Sequence, residues 1–469
     1  MPRFSPLTPE LLDEIRAAVG PEAVLTAGPA LEAASADATT ERRRPEAVVR
    51  PRSAEQVSAL LRLANARSFP VTPRGTGTGL AGGALACHGG VVLDLSAMDR
   101  LAIEPANLLA VAGPGVLTHT LRQAAEKHGL FYPPDPASLK ESTLGGNAAT
   151  NAGGPACVKY GVTKHYVLGL TAVLPTGEIV ACGTRTRKGV VGYDLTGLLV
   201  GSEGTLGVIT ELYLKLIPLP RAVQTQVAIF PNLSAAMAGV ARIMAGLDGA
   251  GGCCPSACEF LDPRCLTLVG DLLPCRDLPP GASLLLLETD GSAEAAAADM
   301  ALVSEACRQS GALHLLPGGS PAERETLWNM RRQVSLRIHD AWPVYVPEDV
   351  VLPLAEIAGF VAELPSYEKE FGFTVYAFGH AGDGNIHLNI TAPDRSTLDR
   401  VEAGTVALLK RVLALGGTMS GEHGIGFTKQ RFLGLELSPA AMAAQASLKK
   451  ALDPNGILNP GKLFDEEPA

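Results

Sequence analysis

Two histidines bracket an Asp-Gly step in His380-Ala381-Gly382-Asp383-Gly384-Asn385-Ile386-His387. Asp-Gly between two strands is a strong hairpin signal. With Asp383-Gly384 as a two-residue turn, Gly382 faces Asn385, Ala381 faces Ile386 and His380 faces His387. Directly opposed residues have Cβ atoms about 5 Å apart on one face of the sheet. Two imidazoles so placed suit one divalent metal: zinc, manganese or iron. Asn389, two residues beyond His387, falls on that face too.

A second cluster is Gly417-Thr418-Met419-Ser420-Gly421-Glu422-His423-Gly424-Ile425-Gly426. Glycines on both sides of Glu422-His423 let the backbone come close to a substrate or cofactor. Two histidines and one carboxylate make a catalytic metal set with open positions. On these residues alone, a solvated loop carrying an incidental Glu-His pair is an equal reading.

The third feature is glycine-rich. Gly77-Thr78-Gly79-Leu80-Ala81-Gly82 matches GxGxxG, with Asp94 at a strand end downstream. A nicotinamide fingerprint must open a helix, and that crossover needs at least about 10–12 residues. Only eight residues separate Gly82 from the strand at Val91, and Gly83, Gly89 and Gly90 are among them. No helix fits, so the segment is a loop. Five glycines in residues 75–83, with Arg74 and two threonines, favour a phosphate cradle built from backbone N–H groups over a plain turn.

The elements that position these clusters are legible. Thr8 and Pro9 open a helix with Leu11, Leu12 and Ile15 on one face. Ala47-Val48-Val49-Arg50 reads as a strand, followed by a helix opened by Ser53 with Gln56 as a capping box. A third helix is predicted over 117–128, stopping at Gly129. Strands are predicted over 90–95, 167–174, 178–182 and 208–216, and Pro218 and Pro220 suggest a boundary. Beyond it, strands over 224–230 and 283–289 alternate with Ala-rich helices over 233–247 and 292–310, an α+β pattern. A last helix is expected over 438–451.

Composition narrows the classes. The 469 residues are 46% hydrophobic and 19% charged, enough for two or three domains with a sizeable core. With 39 Lys plus Arg against 48 Asp plus Glu, the net charge of −9 and lack of a basic block argue against nucleic acid or an anionic membrane as partner. No apolar run reaches the roughly 18 residues of a membrane span, and the opening MPRFSPLTPELLDEI has no secretory h-region. The nine cysteines therefore read as reduced cytosolic thiols. Cys253, Cys254, Cys258, Cys265 and Cys275 lack the paired spacing of an iron–sulfur site.

Pro73-Arg74-Gly75-Thr76-Gly77-Thr78-Gly79-Leu80-Ala81-Gly82-Gly83-Ala84 resembles the pyrophosphate loop of the flavoprotein family that includes vanillyl-alcohol oxidase. Pro134-Asp135-Pro136, Gly145-Gly146-Asn147, Asn151-Ala152-Gly153-Gly154, Gly201-Ser202-Glu203-Gly204-Thr205-Leu206-Gly207 and Asn459-Pro460-Gly461 agree with it, in order, along nearly the whole chain. Within the family the likeness is greatest to FAD-linked D-2-hydroxyacid dehydrogenases: D-lactate, glycolate and D-2-hydroxyglutarate dehydrogenases.

The resemblance implies an α+β fold of three parts. These are an FAD-binding domain of two parts over 1–218, a cap domain with an antiparallel sheet over 219–415, and a segment, 416–469, that packs back on the FAD domain and completes the active site. It implies FAD on Arg74, Gly75, Thr76, Gly77, Thr78, Gly79, Gly82 and Gly83. The flavin and adenine parts would meet Pro134, Asp135, Ser138, Ser142, Thr143, Gly145, Gly146, Asn147, Asn151, Gly153, Gly154 and Gly161, then Glu203, Gly204, Gly207, Ile209 and Asn459. Family members with covalent flavin carry a histidine inside the pyrophosphate loop; none lies between 73 and 86, so the FAD is expected to be non-covalent.

The resemblance also implies His380, His387 and Glu422 as ligands of a divalent metal, His423 as base, and Arg331 of Leu327-Trp328-Asn329-Met330-Arg331 as the grip on the substrate carboxylate. A guanidinium's bidentate fork suits that task. Arg332 is a competing anchor, and a helix-surface arginine is the commoner fate of such a residue. Enzymes acting on 2-hydroxyglutarate carry a lysine about fifteen residues past the arginine; position 346 is Val, and no Lys occurs from 216 to 368. A small D-2-hydroxy acid, D-lactate before glycolate, is the expected substrate. Electrons would pass to an electron-transfer flavoprotein, an iron–sulfur subunit or a quinone, with oxygen use as the alternative. The expected location is the cytoplasm, free or peripheral to the inner membrane, as a homodimer or a hetero-complex. A metal-dependent hydrolase would explain the His/Glu set without the glycine loops. A non-catalytic flavin subunit would explain the loops without the His/Glu/Arg set.

Overall fold

The computed structural model describes residues 4–246, 252–275 and 278–464. The chain divides into two compact units. The first comprises 1–153, 162–219 and 422–469, the second 154–161 and 220–421.

The first unit opens with α1 (Pro9–Val19), whose N-cap Thr8 accepts a hydrogen bond from Leu11 N at 3.3 Å. Leu11, Ile15 and Val19 recur at spacing four and are buried against α2 (Ala54–Arg67). Burying each such side chain contributes about 1.5–3 kcal/mol. A small sheet is built from β1 (Val24–Leu25), β2 (Ala47–Val49), β3 (Val71–Arg74) and β4 (Val91–Asp94), in the order β1-β2-β4-β3. β2 and β3 both run parallel to β4. Residues 75–90 between β3 and β4 contain no helix, as their spacing requires. Pro73 is tolerated because β3 is an edge strand. The C-terminal segment covers that edge: Val71 N donates to Ile457 O and Asn459 N to Val71 O, both at 2.8 Å.

A second sheet in this unit is wholly antiparallel. Its strands are β5 (Leu101–Glu104), β6 (Leu109–Ala112), β7 (Val167–Val173), β8 (Ile179–Gly183) and β9 (Val208–Lys215), in the order β5-β6-β9-β7-β8. The helix α3 (Leu144–Thr150), capped by Thr143, lies between β6 and β7 in the chain.

The second unit is an antiparallel sheet of seven strands with helices. Its strands are β10 (Ala222–Phe230), β11 (Ala257–Leu261), β12 (Ser283–Gly291), β13 (His314–Gly318), β14 (Val344–Val351), β15 (Thr374–His380) and β16 (Asn385–Ala392), in the order β13-β10-β12-β11-β15-β16-β14. The Ala-rich helices α4 (Leu233–Ala245) and α5 (Ala293–Gln309) stand where the sequence predicts them. The helix α6 (Pro321–Ala341) opens with a capping box between Ser320 and Glu323. Its Leu327, Met330, Val334 and Ile338 pack with Ile229, Leu261, Leu284 and Phe378 in one core.

Candidate functional site

The hairpin carrying the two histidines differs in register from the sequence expectation. His380 pairs with Asn385, and His387 pairs with Phe378. A two-residue type I′ turn needs positive φ at both central residues. Gly384 has φ +85° but Asp383 has no positive φ. The loop instead takes four residues, closed by Gly384 N to His380 O at 3.1 Å. The shift is two positions, so every side chain keeps its face. His380 and His387 are therefore diagonal neighbours, their rings 5.1 Å apart and edge to face. Asn389 is on the same face, and its Oδ1 accepts the Tyr345 hydroxyl at 2.7 Å.

A carboxylate that the motifs did not reveal stands beside this pair. Glu259 of β11 is directly opposite His380 and fully buried. Its Oε1 lies 2.5 Å from His380 Nδ1, and its Oε2 accepts from Arg331 Nε at 2.8 Å. Burial raises the Glu259 carboxyl, but His380 and Arg331 outweigh it and hold it below the ordinary value. A single acidic residue inside the apolar run Ala257-Cys258-Glu259-Phe260-Leu261 is the signal for it.

Arg331 is not a helix-surface residue. It falls four after Leu327 and three before Val334, on the buried stripe of α6, and its guanidinium sits 4.5 Å from the Phe378 ring centre. Arg332 is paired with Glu325 on the exposed side. The stripe thus brings Arg331, and not its neighbour, to the histidine face.

Asp349 of β14 is opposite His387 and fully buried. It accepts from Gly421 N at 2.7 Å and bonds Ser420 Oγ at 3.2 Å, and Thr418 pairs with Val351. Glu422 is the next residue along the chain. Position 346, where the sequence expectation placed the pairing of a second carboxylate, is on the other face: Val346 opposes Ile390, whereas Tyr345, Pro347, Asp349 and Val351 share the face of His387. The Val346 side chain therefore lies on the face away from His387, and Tyr345 and Pro347 on the near face are not lysines either.

Within the first unit one cavity gathers the glycine motifs. It is lined by Arg74, Gly75, Thr76, Gly77, Thr78, Gly79 and Gly83; by Ser138, Ser142, Thr143, Gly145, Gly146, Asn147 and Gly153; by Glu203, Gly204, Gly207 and Ile209; and by Glu422 and His423. Leu95 and Pro114 also line it, without a motif of their own. Gly82, Pro134, Asp135, Asn151 and Asn459 stand outside this lining, and Gly154 and Gly161 belong to the second unit. Asn459 props the walls: its Nδ2 donates to Glu203 O at 2.8 Å and Gly83 O at 3.1 Å.

The cradle fits a dinucleotide's pyrophosphate. A Cβ at Gly77, where φ is +82°, would lie 2.1 Å from Arg74 Nη2; one at Gly75 would lie 2.4 Å from Thr143 Oγ1. Side chains are thereby excluded and the backbone is left to meet the ligand. Arg74 Nη2 donates to Ala36 O at 2.7 Å, while the buried Nη1 has no partner among the described residues. Burial lowers the Arg74 pKa, against Asp37 and Asp94. A buried cationic donor on a residue that lines the cavity is suited to an anion.

Glu203 anchors the loop after His423. Its carboxylate accepts from Ile425 N at 2.8 Å and Gly426 N at 2.7 Å. Burial pushes this carboxyl up, against the two N–H groups and nearby lysines. A Cβ at Gly424 would lie 2.8 Å from Glu203 Oε1.

These folds and this cradle define a flavoprotein of the vanillyl-alcohol oxidase type. Residues 45–183 match the FAD binding domain model and residues 219–463 the C-terminal domain of FAD linked oxidases. The chain belongs to the FAD-linked oxidases. It is 39% identical to the glycolate oxidase subunit GlcD of Bacillus subtilis, over 90% of each chain. It is 38% identical to a D-lactate dehydrogenase of Anaerostipes hadrus, over 98% of each. The fold is also that of p-cresol methylhydroxylase, with a TM-score of 0.75 at 16% identity, covering 96% of each chain. Among the described residues no helix is long and apolar enough to cross a membrane.

Proposed function

We propose that this protein is an FAD-dependent dehydrogenase that oxidises a small D-2-hydroxy acid, D-lactate first and glycolate second, to the 2-oxo acid. The observation that carries this reading is the link through Glu259, which sets a guanidinium beside an imidazole pair. A 2-hydroxy acid needs that combination: a cation for its carboxylate and an oxygen-binding centre for the adjacent hydroxyl. The names of the two relatives support the same substrate class.

Arg331 binds the carboxylate with N–H groups left over from its pairing with Glu259; a guanidinium has five. His380, His387 and Glu422 hold a divalent metal, which when bound lowers the pKa of the substrate hydroxyl. His423 accepts the hydroxyl proton, and Asn389, braced by Tyr345, orients the substrate. Non-covalent FAD, held on the Arg74–Gly83 loop, supplies the two-electron acceptor for the hydride from C2. We read 1–218 as the flavin domain, 219–415 as the cap and 416–469 as the segment that completes the site. Electrons leave to an electron-transfer flavoprotein, an iron–sulfur subunit or a quinone. A second reading, a non-catalytic flavin subunit, leaves the buried Glu259–Arg331–His380 cluster without a use.

An anaerobic titration tests this. The purified protein should be yellow, and D-lactate should bleach the flavin's visible absorbance. Flavin that stays oxidised with D-lactate, glycolate and 2-hydroxyglutarate alike would sink the reading.

A further inference from the structure

Glu259 answers to no motif, yet it touches two groups of the proposed site at once. It is fully buried, with Oε1 2.5 Å from His380 Nδ1 and Oε2 2.8 Å from Arg331 Nε. Register holds this in place: β11 and β15 are paired, with Glu259 directly across from His380. On the other side Arg331 is locked by its place on the buried stripe of α6 and by the Phe378 ring.

A buried carboxylate is costly unless it is paired, so a purely structural role would be met by one cation or by an apolar residue. The second partner is what calls for explanation. An imidazole ligates through one nitrogen, and the hydrogen bond at the other nitrogen decides which. An acceptor-only carboxylate at Nδ1 holds the proton there and leaves the lone pair on Nε2.

We infer that Glu259 is a positioning residue that fixes the ligating nitrogen of His380 and the orientation of Arg331 together, coupling the metal centre to the substrate's carboxylate anchor. The inference rests on the metal reading above. Its chemical content is specific. A glutamine at 259 has one acceptor oxygen and one NH2 donor. If the oxygen stays with Arg331, the NH2 faces Nδ1, the imidazole proton moves to Nε2, and the ligand atom is lost. If the oxygen turns to His380, the NH2 opposes the guanidinium. Either way one arm of the coupling fails.

The test uses the FAD-loaded full chain, stripped of metal by chelator and dialysed, with Mn2+ as probe. Mn2+ affinity is measured by electron paramagnetic resonance, next to flavin content, thermal midpoint and the KM for D-lactate. Glu259→Gln should weaken Mn2+ binding by roughly 10–100-fold, as loss of a carboxylate behind a ligating histidine does, with the flavin content kept. Its KM for D-lactate should rise as well. Should Glu259→Gln fail to fold, Glu259→Asp is read the same way: it keeps the charge beside Arg331 but is one methylene short of spanning both partners. Mn2+ affinity equal to wild type in the folded variant overturns the inference alone. Wild-type protein that binds no Mn2+ overturns the metal reading, and this inference with it.

Discussion

Glu259 and His380 face each other across two neighbouring strands, carboxylate oxygen to Nδ1, at 2.5 Å. Arg331, His387 and Asp349 belong to the same polar face of the second unit. Arg331 enters it from a helix, His387 from the next strand, and Asp349 from the strand beyond.

Arg331, together with His380, offsets Glu259's burial, and its side chain is 11% exposed. Arg331→Met should cost on the order of 3–5 kcal/mol in denaturant unfolding, the typical cost of orphaning one partner of a buried pair. It should also raise the KM for D-lactate. An unchanged unfolding midpoint would show that the pair adds nothing to stability.

His423 lines the cavity that holds the glycine cradle. In His423→Ala, flavin reduction by D-lactate should slow by about 10²–10⁴-fold, the usual contribution of a positioned base. The FAD-to-protein ratio should match wild type. Stopped-flow bleaching at the wild-type rate would remove His423 from the proton transfer.

Gly77 has φ +82°, and a Cβ there would press on Arg74 at 2.1 Å. Gly77→Ala combines left-handed strain of about 1–2 kcal/mol with displacement of the guanidinium. FAD affinity should fall roughly tenfold or more, since 1.4 kcal/mol is a factor of ten. The check is flavin retained after gel filtration and rebinding of added FAD.

Asp349 accepts a hydrogen bond from Gly421 N–H, one residue before Glu422. Asp349→Ala leaves that donor without its acceptor, at a cost of about 1–3 kcal/mol, and should lower turnover more than it lowers flavin content. Asp349→Asn keeps an acceptor oxygen and should recover much of the turnover. Equal losses in Ala and Asn would point to the charge, not the hydrogen bond to the loop.

Local chemistry was readable from the residues themselves. Caps at Thr8 and Ser53, the glycine spacing that forbids a helix after β3, and the parity of the histidine hairpin are short-range properties. A strand's side chains alternate whatever the length of its turn, so His380, His387 and Asn389 were bound to share a face. The sequence alone therefore determined the flavin cradle, the α+β class and the histidine pair. Tertiary structure decided what lies across from each of them. Whether Asp383 takes positive φ, and thus whether the histidines oppose squarely or diagonally, depends on how the loop packs at Gly384 against Leu352. Val346 turned away because β14 pairs with β16 in one register and no other. Glu259 meets His380 and Arg331 from 121 and 72 residues away in the chain. No local periodicity encodes such a meeting, because it is strand order in the sheet, not spacing in the chain, that sets a carboxylate beside its cations.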